Sequence, residues 1–292
     1  MDEQKYNLKE SLTELDKLFD LSTKETDKTA CEALAKKAKI IYEQYPESED
    51  IALRYAMALV NLSVEQVNVE ELLNTVNSVK EIFERFKQSE DIALQYAKTL
   101  VNLSVEQVNI EERKNTTNLL KEIFEQFNQS EDIALHYAMA LVNLSVEQLN
   151  VEERKNTANL VKEIFEQFQH SEDIALRYTK TLVNLSAKQV NVEERKNTAN
   201  LVKEIFEQFQ HSEDIALRYT KTLVNLSAKQ VNVEERKNTA NLVKEIFEQF
   251  QHSEDIALRY TKTLVNLSAK QVNVEERKNT ANLVKEIFEQ FQ

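Results

Sequence analysis

The sequence predicts an all-α protein, a right-handed α-solenoid of about seven antiparallel helix pairs with a 41-residue repeat. Its 292 residues include no glycine and one proline. This composition favours nearly continuous helix, because these two residues are the poorest helix formers. The segment Ser-Glu-Asp-Ile-Ala-Leu recurs at a constant spacing of 41 residues, and its serines are Ser48, Ser89, Ser130, Ser171, Ser212 and Ser253. A fixed period of this length is typical of repeats that stack on one another.

The chain begins with a divergent copy of the repeat. Residues 7–47 keep its frame, since Ile41 and Tyr42 fall where Ile82 and Phe83 fall one period later. We predict that residues 1–47 form an N-terminal capping repeat. Residues 48–292 are predicted to form six tandem repeats, and the whole chain one continuous solenoid domain.

The first helix of each repeat is predicted to begin after Ser48, an N-cap residue type that two acidic residues follow. It is expected to end near Gln66. Apolar side chains, Val64 among them, occupy most of its circumference at about 100° per residue. The remaining positions form one narrow stripe, which consists of Asp50, Arg54, Met57, Ala58, Asn61 and Glu65. Such a helix is packed on several sides, and we place it on the inner, concave side.

The second helix is predicted to begin after Asn68 and to end near Phe86. Glu71 follows Asn68 by three residues, which is a capping-box pattern. Its apolar residues lie on one face only, as in an amphipathic surface helix. We therefore expect the second helices to form the outer layer.

Aromatic residues recur with the same period and are predicted to form the core between repeats. The phenylalanines are paired, as in Phe83 and Phe86, and one tyrosine series begins at Tyr55. Large rings at helical spacing are usually core residues. An aromatic binding box is the alternative for the tyrosines.

The composition excludes several classes of function. Without glycine the chain has no P-loop, dinucleotide fingerprint or EF-hand. Cys31 is the only cysteine, so we predict a buried thiol and no disulfide. His170, His211 and His252 fall one per repeat, too far apart to share a zinc ion. We expect no catalytic residue, no metal, no cofactor and no enzyme activity. The chain begins without an apolar signal segment and holds no apolar run long enough for a membrane span, so we expect a cytoplasmic protein and no membrane partner.

The repeat resembles two helical-repeat families. Tyr45-Pro46, followed by Ala52 and Ala56, resembles the junction between tetratricopeptide repeats, where a proline ends one helix pair and small residues admit the next. The period is 41 rather than 34, and the glycine of that motif is absent. The segment 58–63, Ala-Leu-Val-Asn-Leu-Ser, resembles armadillo repeats, in which an asparagine binds the backbone of an extended peptide. Both resemblances imply an α-solenoid that binds proteins, and the tetratricopeptide-like one is preferred.

The polar stripe of the first helix supplies the candidate binding residues. An asparagine recurs near its centre and forms a ladder of Asn61, Asn102, Asn143, Asn184, Asn225 and Asn266. Its amide can both donate to and accept from an extended peptide. Basic residues flank the ladder in the later repeats, namely Arg177, Lys180, Arg218, Lys221, Arg259 and Lys262. The alternative is that the asparagines bond within or between the helices of the stack.

Charge differs between the two halves of the chain. The net charge of −13 lies entirely before residue 171, and the later repeats are neutral. The stripe itself turns basic, since Met57 becomes Lys180 and Glu65 becomes Lys188 at equivalent positions. Two sub-sites of different charge, or drift at exposed positions, would both explain this.

The main functional prediction is a non-enzymatic scaffold that binds a peptide or partner protein along the concave face. The first alternative is a self-assembling structural array, or a fragment of a larger repeat protein, with end-to-end association through an uncapped C-terminus. The second is an RNA-binding helical repeat. It is disfavoured because an acidic to neutral chain repels phosphate.

Overall fold

The computed structural model describes residues 2–22 and 28–291. Within these residues it contains fourteen α-helices, which follow one another as pairs. The all-α class and the helix-pair repeat are therefore confirmed. The chain divides into two compact units, Met1–Leu144 and Ser145–Gln292, and each is described by itself. The single continuous solenoid domain stays a prediction.

The helices are nearly uniform in length. The first unit contains α1 (Asp2–Ser22), α2 (Lys28–Gln44), α3 (Glu49–Val64), α4 (Val69–Arg85), α5 (Glu90–Glu106) and α6 (Ile110–Gln126). Helix α7 (Glu131–Glu147) includes the boundary between the units. The second unit continues with α8 (Val151–Gln167), α9 (Glu172–Lys188), α10 (Val192–Gln208), α11 (Glu213–Ser227), α12 (Val233–Gln249), α13 (Glu254–Ser268) and α14 (Val274–Gln290).

In the second unit the first helices of the repeats form a continuous layer, because α9 packs against α11 and α11 against α13. The second helices α10 and α12 each contact the first helix of their own repeat and that of the next, as α10 does with α9 and α11. The first unit shows the same arrangement in α3, α4 and α5. One repeat cannot bury its own apolar faces, so stacking of this kind forms the core.

Both predicted N-caps are confirmed. Ser48 Oγ accepts from the backbone N–H of Ile51, and Asn68 Oδ1 accepts from the N–H groups of Glu70 and Glu71. These bonds satisfy donors that have no partner within the helix. The carboxylate of Glu71 pairs with Lys28 Nζ at 2.7 Å.

Two positions of the first helix were predicted wrongly. Ala58 was placed on the polar stripe but is completely buried, whereas Val64 was placed on the buried side and is 64% exposed. Helix α3 ends at Val64, so this side chain lies at the helix end. Ala58 is covered because α3 packs against helices on both sides, α2 and α5. Helical periodicity gives the face of a residue but not the neighbours that cover it.

The aromatic residues join consecutive repeats as predicted. The phenylalanines of the series from Phe83 to Phe247 lie against the tyrosine of the next repeat, with ring centroids 5.5 Å apart for Phe83 and Tyr96 and 5.7 Å for Phe206 and Tyr219. The tyrosines of this series are buried. Such tilted aromatic pairs add about 0.5–1.5 kcal/mol to the area that they bury. Burial therefore confirms the core prediction for the tyrosines.

Many helices end on a glycine in the left-handed region, but no described residue of this chain has a positive φ. The helices end instead on residues such as Gln189, which is in neither the helical nor the left-handed region. Its side-chain Oε1 accepts from Thr198 Oγ1 of the following helix at 3.0 Å. The same Gln–Thr bond recurs in the other described repeats, for example between Gln107 and Thr116 at 2.9 Å. It fixes the connection between the two helices of a repeat.

Candidate functional site

The asparagine ladder lies on the first helices, and its amide nitrogens bond to the preceding repeat. Nδ2 of Asn184 donates to Ser145 Oγ, and Nδ2 of Asn225 donates to Ser186 Oγ, both at 2.8 Å. The same bond, at the same length, is made by Asn102, Asn143 and Asn266. The ladder is half-buried throughout, Asn61 included. A bond between helices of the stack, one of the two alternatives, is therefore present at five positions.

Sequence reasoning missed a series of buried arginines on the second helices. Arg154 donates through Nε to Gln148 O at 2.7 Å, through Nη1 to Asn184 O at 2.7 Å and through Nη2 to Val146 O at 2.9 Å. Arg113, Arg195 and Arg236 are likewise buried and bond to the asparagine carbonyl of the next repeat. Burial lowers the pKa of Arg154.

These arginines satisfy carbonyl groups at helix C-termini. Val146 lies in the last turn of α7, and Gln148 follows that helix directly. The carbonyl groups of a last turn have no donor within their own helix. The sequence did contain a signal for this burial. Arg113 lies 41 residues after Leu72, so it occupies the same position of the repeat as an apolar residue that is buried.

The basic residues predicted to flank the ladder do lie on the first helices of the second unit. Arg177, Lys180, Arg218, Lys221 and Arg259 are half-buried, and Lys262 is exposed. The Nε atoms of the three arginines are buried and have no hydrogen-bond acceptor among residues 28–291. The structure thus brings the predicted cations together on one layer of helices and leaves part of their hydrogen-bonding capacity unused.

Like charges oppose one another on this layer. Burial lowers the pKa of Lys180, and the positive charges of Arg177 and Arg218 lower it further, while Asp214 acts in the opposite direction. The pKa of Lys221 is lowered by burial and then by Arg218 and Arg259, against the opposing effect of Asp255. The half-buried ammonium groups therefore lie in a field that disfavours their charge.

In the first unit, the side chains at the repeat position of Arg177 have hydrogen-bond partners. Arg54 donates through Nε to Asp16 Oδ1 at 2.7 Å and through Nη2 to Asp16 Oδ2 at 3.4 Å. Gln95 bonds to the carbonyl oxygen of Asp91 at 3.2 Å, and His136 contacts that of Asp132 at 2.7 Å. Each of these side chains has a partner within its own unit, in contrast to the Nε atoms of the second unit.

The cysteine and the histidines lie away from the first-helix face. Cys31 is buried, as predicted, and its sulfur is in no disulfide. His170, His211 and His252 are exposed in the turns after α8, α10 and α12. Among residues 2–22 and 28–291, no group of three or more His, Cys, Asp or Glu side chains is arranged to hold a metal ion. None of the helices in these ranges combines the length and apolar character needed to cross a membrane.

No protein family model matches the sequence, and no curated protein matches it. Among solved structures it is similar to a chain from the computational design of self-assembling cyclic protein homo-oligomers. That match has 13% identity and a TM-score of 0.20 and covers 97% of this chain and 91% of that one. It is also similar to a de novo designed helical repeat protein, with 17% identity, a TM-score of 0.13 and 99% of each chain covered. TM-scores of this size do not establish a shared fold.

Proposed function

We propose that the protein is a non-enzymatic scaffold that binds a peptide or partner protein along the face lined by the first helices of its repeats. One observation carries the proposal. The three Nε atoms of Arg177, Arg218 and Arg259 are buried without an acceptor in the described part of the chain, and they recur every 41 residues on this face. A buried donor without a partner costs about 1–3 kcal/mol. A bound partner that supplies acceptors to these side chains would recover part of that energy.

The asparagines have a secondary role in this proposal. Their Nδ2 atoms already bond to serines, but no donor in the described ranges reaches the Oδ1 atoms of Asn184, Asn225 and Asn266. These oxygens can accept from a partner's backbone N–H groups. The basic side chains would then attract the bound segment by their charge. The asparagine oxygens would fix the position of its backbone along the face. Catalysis is not expected of this face, because near-identical copies do not supply the set of different groups that an active site needs.

The experiment that tests the proposal is selection of peptides from a random library displayed on phage, with the full chain as bait. The face variant carries Arg177→Gln, Arg218→Gln and Arg259→Gln. The control variant carries Lys196→Gln, Lys237→Gln and Lys278→Gln, which remove the same charge from exposed positions of the second helices. We expect enriched peptides that bind the wild type and the control alike and bind the face variant at least tenfold more weakly. Peptides that bind all three proteins equally, or no enriched peptide at all, would refute the proposal.

A second candidate function is association of two copies through the face of α13 and α14. Phe288 is 65% exposed there, whereas the equivalent Phe247 is 8% exposed because the next repeat covers it. A cavity of 560 Å³ on this face is lined mainly by apolar side chains, including Leu258, Val284 and Phe288. The face continues the interface that joins successive repeats, and a second copy can bury it in the same way.

Sedimentation equilibrium tests this second candidate. A mass that rises with concentration in the wild type, and stays that of a monomer in Phe288→Glu, would support it. Val272→Glu is the matched control, because it adds the same charge at an exposed apolar residue between α13 and α14. A constant monomer mass in the wild type would exclude the self-association.

A further inference from the structure

The ion pair of Arg54 with Asp16 shows which group the arginines of the second unit lack. Asp16 lies 38 residues before Arg54, on the first helix of the preceding repeat. Its carboxylate accepts from both Nε and Nη2 of the guanidinium. An arginine in this frame can therefore hold a carboxylate in a forked geometry, which is the strongest arrangement for this pair of groups.

In the second unit the position equivalent to Asp16 is occupied by lysine. Lys180 lies 38 residues before Arg218, and Lys221 lies 38 residues before Arg259. Each lysine is on the first helix that packs directly against the helix of its arginine, α9 against α11 and α11 against α13. The Nε atom that bonds to a carboxylate in Arg54 is buried and unbonded in Arg218 and Arg259, within the described residues.

We propose that the pairs Lys180–Arg218 and Lys221–Arg259 are two carboxylate-binding sites, each of which holds one acidic side chain of a bound, extended protein segment. This inference rests on the proposed scaffold function and names the chemistry of the partner. Arg54, which occupies the same repeat position as Arg218 and Arg259, already donates to a carboxylate of this chain, that of Asp16. A carboxylate also neutralises a lysine and an arginine that would otherwise repel each other.

The repeat geometry sets the spacing of the acidic residues. Packed helices lie about 8–10 Å apart, so successive sites are separated by about that distance. A polyproline II segment rises about 3.1 Å per residue and completes a turn in three residues. Acidic residues at every third position therefore point to one side at intervals of about 9 Å. The fitting partner is a segment with an acidic residue at every third position.

A phosphate-bearing partner fits this face less well. Single-stranded nucleic acid usually binds through aromatic side chains on which its bases stack, but Tyr178, Tyr219 and Tyr260 are buried in the core. Exposed acidic residues also border the cations, since Asp214 and Asp255 act on Lys180 and Lys221. Two isolated carboxylates tolerate such neighbours better than a continuous polyanion does.

The probe is a fluorescein-labelled peptide of six Glu-Pro-Pro triplets, measured by fluorescence anisotropy with the full chain. The control peptide has Gln-Pro-Pro triplets and the same length. We expect the glutamate peptide to bind at least tenfold more tightly than the glutamine peptide. We also expect its binding to weaken as salt is added, because the contacts are between charges.

The decisive variant carries Lys180→Asp and Lys221→Asp. It places in the second unit the carboxylate that Asp16 supplies to Arg54, so we expect the variant to stay folded and to satisfy its own arginines. Affinity for the glutamate peptide should then fall at least tenfold. The control carries Lys196→Asp and Lys237→Asp on the exposed second helices, has the same net charge, and should bind within about threefold of the wild type.

The outcomes separate the two proposals. Equal binding by wild type and the Lys180→Asp, Lys221→Asp variant, or an equal loss in the control variant, overturns the carboxylate sites. Tighter binding of a labelled uridine oligonucleotide than of the glutamate peptide overturns them as well. If the phage selection yields face-dependent peptides without acidic residues, the scaffold function stands and only the carboxylate sites are wrong. If it yields no face-dependent peptides, the scaffold function itself fails.

Discussion

Replacement of Arg154 by alanine should destabilise the middle of the second unit more than any single change on its surface. Arg154 is 5% exposed, and its guanidinium donates to three backbone carbonyls at 2.7, 2.7 and 2.9 Å. Hydrogen bonds to charged groups contribute about 1.5–3 kcal/mol each. Burial of the charge offsets part of that sum, whereas alanine leaves three carbonyls without this donor and an empty space in the core, which together cost about 3–5 kcal/mol. We expect Arg154→Ala to cost an amount in this range.

Arg154→Leu is the informative companion, because Leu72 occupies the equivalent position and is completely buried. A leucine fills the space that alanine would leave empty, although the three carbonyls still lose their donor. We expect Arg154→Leu to lower the free energy of unfolding by about 1–3 kcal/mol, which is less than the loss expected for Arg154→Ala. Lys155→Ala, which changes the exposed neighbour, should cost less than about 0.5 kcal/mol.

Amide hydrogen exchange read by mass spectrometry is the suitable assay, because repeat proteins do not unfold in one step and exchange reports each helix separately. A loss of 3–5 kcal/mol in opening free energy corresponds to about a 10²- to 4 × 10³-fold faster exchange. The effect should be centred on α8 and α9, which contain Arg154 and its acceptor Asn184. Exchange in α9 that changes less than tenfold in Arg154→Ala would refute the role of the arginine between repeats.

Two further predictions concern the interfaces between repeats. Burial, with a smaller effect of Glu207 and Glu245, raises the pKa of Tyr219 to about 12. The stability contributed by its neutral phenol is therefore complete below about pH 10, the ordinary tyrosine pKa, and is lost as the pH rises towards 12. Tyr219→Phe should move the alkaline loss of circular dichroism to higher pH, and an alkaline transition equal to that of the wild type would contradict the assignment. The bond from Asn225 to Ser186 should contribute about 0.5–1.5 kcal/mol, measured as the coupling energy of a double-mutant cycle with Asn225→Ala and Ser186→Ala. A coupling near zero would show that the bond does not stabilise the stack.

The helix ends illustrate what the sequence could predict. Ser48 and Asn68 were assigned as N-caps from residue type and position, and both accept the expected backbone hydrogen bonds. Capping depends on atoms two or three residues apart, so the local sequence contains all the information. Burial of the tyrosines could be predicted for a similar reason, since a large apolar ring on the packed face of a helix has few alternatives.

The polar residues of the candidate site illustrate what the sequence could not predict. The sequence placed Asn225 on a polar stripe but left open whether its amide bonds to a neighbouring helix or to a ligand. Nδ2 bonds to Ser186, 39 residues earlier. Arg154 was not singled out by the sequence at all, yet it is buried and its Nη1 donates to a carbonyl 30 residues later. Both partners belong to other repeats, and only the stacking of the repeats brings them within bonding distance.

The sequence by itself determined the repeat, the helix pairs and their caps, because a helix and its N-cap depend on contacts within about four residues. The tertiary structure decided which polar side chains are used between repeats and which keep unused donors. Arg54 and Arg218 share one frame of the repeat, but Arg54 has Asp16 beside it, while Arg218 has Lys180 and a buried Nε without an acceptor. The charge opposite an arginine comes from the preceding repeat, so only the packing of one first helix against the next determines it.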